Sequence, residues 1–450
     1  MSFASRDQVR SNDVIFGIAV LIVAAAAGIA AALTGTEILL AIAALTIGIM
    51  LLPRLRFWIL AAGLLIPLSA SLTLQAGGNF VPLSDLAAIA ALASFALFQR
   101  NRPDNEPKAV SRYLFNPVKP GLILLGIYVV TAALNAYLAH PELDVWLKLA
   151  QRFELVAVWL LVGACLVATN TTRLFLTGFV ATSTVLAITW IASPGAAGVL
   201  GTQKNPGGGF IAASILIVLL SPLASHWRIP LLLVLTGGLI GTGSRGSIVG
   251  LLVALLLLIV FVRHWRRVIL QLAAICVGAF AALQFLPKSL IDRIAGRTSA
   301  SSYNADIRDV FVQDALRQWH DAPWTGVGVG QYEQLDSALA RISTHDPHNV
   351  FVLAFTEGGW PLGVAFLALA GGTLLWLMRK PKTTTVVLAL TVQVSTLAHA
   401  YVDVYWVRGT PAIGWALIGV AAAATYQWQR GRDTEVTSDR SETGAVSAGA

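Results

Sequence analysis

Four short stretches of this chain hold residue types that could do chemistry. The first is Gly241-Thr-Gly-Ser-Arg-Gly-Ser-Ile-Val-Gly250, where Arg245 stands between the apolar runs PLLLVLTGGLI and LLVALLLLIVFV. An arginine in that setting either snorkels to lipid headgroups or offers a fixed positive charge to an anion. Ser244 and Gly246 beside it, with Gly241 and Gly243 before it, strip bulk from the backbone and favour a large anionic group. The second stretch is Thr344-His-Asp-Pro-His-Asn-Val-Phe351. His345 and His348 have the spacing of a zinc pair, but Pro347 spoils a helical register between them and no third ligand is evident, so no metal site is expected. The third is Glu357, which follows His348 and Asn349 by about two helical turns and precedes Gly358, Gly359 and Gly363. A glutamate inside an apolar run is costly unless paired or wet, so it marks a functional interior. The fourth is Pro323-Trp-Thr-Gly-Val-Gly-Val-Gly330, whose glycines could cradle phosphate but read better as a turn.

The elements that must position these residues are membrane helices. Of 450 residues, 56% are hydrophobic and 12% charged, and the mean hydropathy is +0.73, far from the quarter of charged residues in a soluble domain. Cys165 and Cys276 lie in apolar runs and read as small buried hydrophobes, which argues against thiolate chemistry. Apolar segments of bilayer length fall at 14–33, 37–53, 57–73, 83–99, 120–138, 151–168, 174–192, 209–225, 229–243, 246–262, 268–286, 350–378, 384–402 and 409–427. The expected fold is therefore an all-α polytopic integral membrane bundle of 12–14 transmembrane helices. The 14–33 segment lacks a small-residue cleavage site and reads as a retained helix.

With a cytoplasmic N-terminus, 20 of the 31 lysines and arginines fall on the inside, as the positive-inside rule requires. That rule, and not nucleic acid, accounts for the net charge of +8. Most outside charges gather in Arg245 and in one long outward loop, 287–349, which carries Lys288, Arg293, Arg297, Arg308, Arg317 and Arg341. Within it, Asn304 to His320 reads as a helix with Ile307, Val310, Phe311, Ala315 and Trp319 near one face, and Gln331 to Ile342 as a second helix. Lys148 and Arg152 read as interfacial anchors at the start of the 151–168 span. Asp403 and Arg408, among aromatics, read as an interfacial belt that could also line an acceptor's route. The expected organisation is a cytoplasmic N-terminus (1–13), an N-terminal bundle (14–200), a core (201–378), two C-terminal helices (379–428) and a disordered cytoplasmic tail (429–450).

Over roughly residues 200–370 the chain resembles the bacterial O-antigen ligase and O-antigen polymerase-like membrane proteins, which share a C-terminal core domain. The resemblance is carried by Asn205-Pro206-Gly207, Ser244-Arg245-Gly246, Arg308, Trp319, Pro323, Gly326-Val-Gly328-Val-Gly330, His348-Asn349 and Glu357-Gly-Gly359. The family's motif of histidine, a small amide or hydroxyl residue and two later glycines is met at His348, Asn349 and Gly359. It departs at the last place, where Leu362 stands and the glycine comes one residue later as Gly363.

What the resemblance implies is a GT-C-like, inverting, metal-independent glycosyltransferase of the bacterial cytoplasmic membrane, with both termini cytoplasmic and the active site on the periplasmic face. Its donor would be a glycan on undecaprenyl diphosphate, its acceptor a glycan or glycolipid, its surroundings membrane lipid; no cofactor and no nucleic acid are expected. A diphosphate leaving group must be stabilised, and with no carboxylate cluster spaced for a magnesium ion, fixed cations are the available substitute: Arg245, Arg308 and Lys204, with Ser244 beside them. An imidazole is suited to taking the acceptor's hydroxyl proton near neutral pH, which assigns His348 as base. Asn349 would hold that ring or the donor sugar, and Glu357 would orient the histidine or pair with an arginine. Two other readings remain at this point: a polymerase that joins undecaprenyl-linked repeat units, and a flippase or transporter without covalent chemistry. Transporters place binding charges near the bilayer midplane, whereas this chain gathers its charges at one face.

Overall fold

The computed structural model describes residues 51–69, 71–76, 79–98, 111–220, 227–261, 288–294, 299–332, 347–403 and 409–447, with a few single residues between 276 and 284. The expected span 14–33, nearly all of 37–53 and 268–286, almost all of the second loop helix, Arg297, Arg341, His345 and Arg408 lie outside the described residues. Every expected span within them falls on a helix: α1 (Leu55–Leu65), α2 (Leu83–Phe98), α3 (Asn116–Ala139), α4 (Leu143–Ala168), α5 (Thr172–Ala192), α6 (Lys204–Leu220), α7 (Arg228–Thr242) and α8 (Arg245–Phe261) come first. The loop carries α9 (Lys288–Ile294) and α10 (Ser299–Asp321), followed by α11 (Val350–Met378), α12 (Thr384–Val402) and α13 (Ala412–Ser447). Among the described residues, five helices are long and apolar enough to cross a membrane, and the chain is a polytopic helical membrane protein. The strands are brief: β1 (Thr73–Ala76) pairs with β2 (Asn79–Pro82), and β3 (Gly198–Val199) with β4 (Thr202–Gln203), both antiparallel.

Helices in lipid gain no hydrophobic drive from touching one another, so close packing of small residues holds them. Gly163 and Gly419 provide it between α4 and α13: a Cβ at Gly163 would lie 2.1 Å from the Ala416 carbonyl, and one at Gly419 2.2 Å from that of Leu160. The buried aromatics Trp159, Trp190, Trp415, Phe175, Phe179 and Phe210 fill the bundle interior.

Three elements depart from the sequence reading. α4 begins at Leu143 and not near residue 151: the residues that lower its hydropathy, Lys148 and Arg152, lie within the helix, and Arg152 is ion-paired with Glu357. α10 buries Phe311, Asp314, Ala315 and Gln318 while Val310 is exposed; Asp314 is accommodated because Gln318 and Tyr332 both donate to its Oδ2. α13 continues through Ser447, over most of the segment read as a disordered tail. Its extension past the apolar part is supported one helical turn apart by Arg430 over Tyr426 and Arg432 over Trp428, the spacing at which helical side chains meet.

Candidate active site at one end of the bundle

The α7–α8 junction is a two-residue turn. Gly243 takes the left-handed conformation, with φ 63°, that ends a helix, and Ser244 starts the next by accepting from the backbone N–H of Ser247 at 3.4 Å. Arg245 is therefore the first residue of α8, exposed, and it makes no hydrogen bond or ion pair with any described residue. Gly246 follows it because nothing larger fits: a Cβ there would lie 2.6 Å from Cδ2 of His399 and 3.2 Å from Cβ of Asp403. Ser244 itself is buried, its hydroxyl 2.7 Å from that of Ser247.

The N-terminus of α6 lies against the same turn. Lys204 begins that helix, and a Cβ at Gly208 would lie 2.4 Å from the Ser247 hydroxyl. Asn205 turns its side-chain amide to Asp403, donating to Oδ1 at 2.8 Å.

Asp403 ends α12 in extended backbone, φ −156° and ψ 167°, and its side chain is 2% exposed. Arg308 of α10 donates to its Oδ2 at 3.2 Å and to the Val402 carbonyl at 3.1 Å. His348 Nδ1 lies 3.2 Å from its Oδ1. Burial on its own would raise the pKa of this carboxyl, but the bond from His348 and the charge of Arg308 hold it down, at about 2. The carboxylate is thus ionised, Nδ1 of His348 carries the hydrogen, and the imidazole lone pair is on Nε2.

His348 sits at φ +56°, a left-handed conformation that costs a residue with a Cβ roughly 1 kcal/mol. Its ring runs parallel to that of Phe311, with centroids 6.1 Å apart. Asn349 caps α11, its Oδ1 accepting from the N–H groups of Phe351 and Val352 at 3.0 and 3.1 Å. The N-termini of α6, α8 and α11, the positive ends of three helix dipoles, therefore meet around Asp403 with Arg245, Arg308 and Lys204 among them.

Glu357 is elsewhere. α11 is broken at Gly358 and Gly359, the latter at φ 64° and ψ −163°, and a strap of residues 322–330 lies in the break. Val327 and Gly328 donate to the freed carbonyls of Thr356 and Glu357 at 2.9 and 2.8 Å, and Trp360 donates to that of Pro323 at 2.8 Å. Irregular backbone in a membrane protein survives only where such bonds are replaced. Glu357 is ion-paired with Arg152 of α4 beside the break, so Arg152 is more than the surface anchor it resembled in the sequence.

The structure thus gathers Arg245, Lys204, Arg308 and His348, uses Ser244 and Asn349 as helix caps at the same end, and places Glu357 in a separate cluster. What the sequence reading missed is the centrality of Asp403, read there as belt; the available signal was a carboxylate directly after an apolar span, four residues past His399. Among the described residues, no group of three or more histidines, cysteines, aspartates or glutamates is arranged to hold a metal ion.

Residues 230–367, which contain Arg245, Arg308, His348 and the break in α11, match a family model described as O-antigen ligase. This part of the chain is similar to the O-antigen ligase family. Outside it lie Asn205 and Asp403, two of the four residues that build the Asp403 hydrogen-bond cluster. Over 259 residues the chain is 29% identical to a protein of Pseudomonas aeruginosa called O-antigen ligase, an alignment that covers 55% of this chain and 60% of that one. The chain thus spans about 60% of the length of the relative it matches.

Proposed function

We propose that this protein is a glycosyltransferase that moves a glycan from undecaprenyl diphosphate to a glycolipid acceptor on the outer face of the bacterial cytoplasmic membrane. The observation that carries the reading is the convergence, at three helix N-termini, of a carboxylate-held histidine and an exposed arginine without a partner among the described residues. The similarity to the O-antigen ligase family over residues 230–367 supports the same chemistry.

In the proposed step, Nε2 of His348 takes the proton of the acceptor hydroxyl while that oxygen attacks the anomeric carbon of the donor sugar. The bond from that carbon to the diphosphate oxygen breaks, its electrons leave with the diphosphate, and attack from the opposite side inverts the anomeric centre. Asp403 keeps the imidazole in the required tautomer and stabilises the imidazolium as it forms. Arg245, with the three helix N-termini, meets the developing charge on the leaving group, where fixed donors act without reorganisation. Arg308 is committed to Asp403 and adds its charge to the same end; Lys204 contributes at the start of α6.

The test is purified protein with an undecaprenyl-diphosphate glycan and, separately, a glycolipid or a second lipid-linked glycan as acceptor. The reading expects release of undecaprenyl diphosphate with the glycolipid. Release only with the lipid-linked glycan would mark a polymerase, and release with neither would overturn the enzyme reading.

A further inference from the structure

The Arg152–Glu357 pair has no place in the step above, yet it is built with unusual care. Arg152 Nη1 and Nη2 donate to Oε2 and Oε1 of Glu357 at 2.5 and 2.6 Å, a two-pronged ion pair. Gly330 N–H donates to the same Oε1 at 2.8 Å, and Arg152 also reaches the Tyr128 hydroxyl at 3.3 Å. The Glu357 side chain is 2% exposed and that of Arg152 28%. Both carboxylate oxygens are therefore occupied by protein, which leaves Glu357 poorly placed to bind substrate.

What the pair joins is more telling. Arg152 belongs to α4, Glu357 is the last helical residue before the break in α11, and Gly330 ends the strap. The strap is the continuation of α10, which carries Arg308 and Phe311. The first half of α11 begins directly after His348, and Thr356 near its end donates to the Ala315 carbonyl of α10 at 3.0 Å. Further bonds hold the strap to the end of α3, with Asn135 donating to the Thr325 carbonyl at 2.6 Å and His140 Nε2 3.0 Å from that of Gly326.

We propose that Arg152 and Glu357 are positioning residues, a buried latch that fixes the strap and, through it, the two helices that present Arg308 and His348. The latch acts on the reaction through those helices and touches no substrate. Its kinetic half rests on the transfer reaction proposed above; its structural half does not.

Both halves can be read in the full-length protein. Val329 of the strap is fully buried, so Val329→Cys in a Cys165→Ser/Cys276→Ser background reports strap release by its rate of reaction with a water-soluble maleimide. Arg152→Gln leaves a buried carboxylate and Glu357→Gln a half-buried guanidinium without its partner, and each should label Val329→Cys at least about tenfold faster. Each should also lower kcat by about ten- to a hundredfold with the donor KM within about threefold, the signature of misplaced catalytic groups. Arg152→Lys should retain more activity than Arg152→Gln. The neutral double variant should lose less than the sum of the two single losses, since contacting residues couple. Unchanged labelling in both single variants would overturn the latch. A raised donor KM with kcat retained in Glu357→Gln would also overturn it, making Glu357 a substrate contact. Strap release in both variants of a protein with no transfer activity would overturn the proposed function and support the latch.

Discussion

His348 Nδ1 lies 3.2 Å from Asp403 Oδ1, across 55 residues of chain and from the opposite end of a different helix. The bond joins the N-terminal edge of α11 to the C-terminal edge of α12 and orients the imidazole proposed above as the base. Asn205 on the same oxygen and Arg308 on the other hold the carboxylate still.

His348→Ala removes the proposed base. Release of undecaprenyl diphosphate should fall by about a hundredfold or more, the usual range for a general base, while the thermal midpoint of the detergent-solubilised protein shows that the bundle is intact. Wild-type turnover in this variant would sink the assignment.

Arg245→Ala should separate function from folding. The side chain is exposed and without a described partner, so stability should change by no more than about 0.5 kcal/mol, whereas loss of one charge-stabilising donor should cost about a hundredfold in turnover. Inhibition by added inorganic diphosphate should weaken in parallel; if it does not, Arg245 is a headgroup anchor.

Asp403→Asn tests the electrostatics by pH. Because the folded carboxyl titrates at about 2 against an ordinary 3.8, its contribution is fully present above the ordinary value and is lost as the pH falls through 2. That shift corresponds to about 2 kcal/mol. The stability gap between wild type and Asp403→Asn should narrow as the pH falls from about 4 to about 2; a gap that does not narrow over that interval would mean that this carboxylate is not responsible.

Gly359→Ala should be poorly tolerated. Residue 359 has φ 64°, and a Cβ there would lie 2.5 Å from the Pro323 carbonyl oxygen. The left-handed backbone costs about 1–2 kcal/mol and the strap must also move. Lower melting temperature and faster proteolysis of the 322–330 segment are expected; a variant as stable as wild type would show that the strap does not lie in the break.

The sequence by itself determined the class of this protein and named most of the residues of the candidate site. Apolar runs of bilayer length specify membrane helices because the backbone has no other partner in lipid, and Arg245 stood out because charge between such runs needs a reason, whereas Arg308 and His348 were picked out in the outward loop by the family resemblance. The turn before Arg245 was readable too, since Gly243 and Ser244 are the residues that end one helix and begin the next.

Only the tertiary structure decided what each charge is for. Glu357 and Arg152 are 205 residues apart, and nothing local in either segment chooses between a partner, a substrate and water. The segment 350–378 was read as one unbroken span; its break at Gly358-Gly359, and the backbone that satisfies the freed carbonyls, depended on where the strap folded. Asp403 looked like any acid at a membrane interface until α6, α10 and α11 brought Asn205, Arg308 and His348 to it. Helix formation is dictated by near neighbours along the chain, whereas a carboxylate's partner is set by which helices meet, and that is a property of the packed bundle.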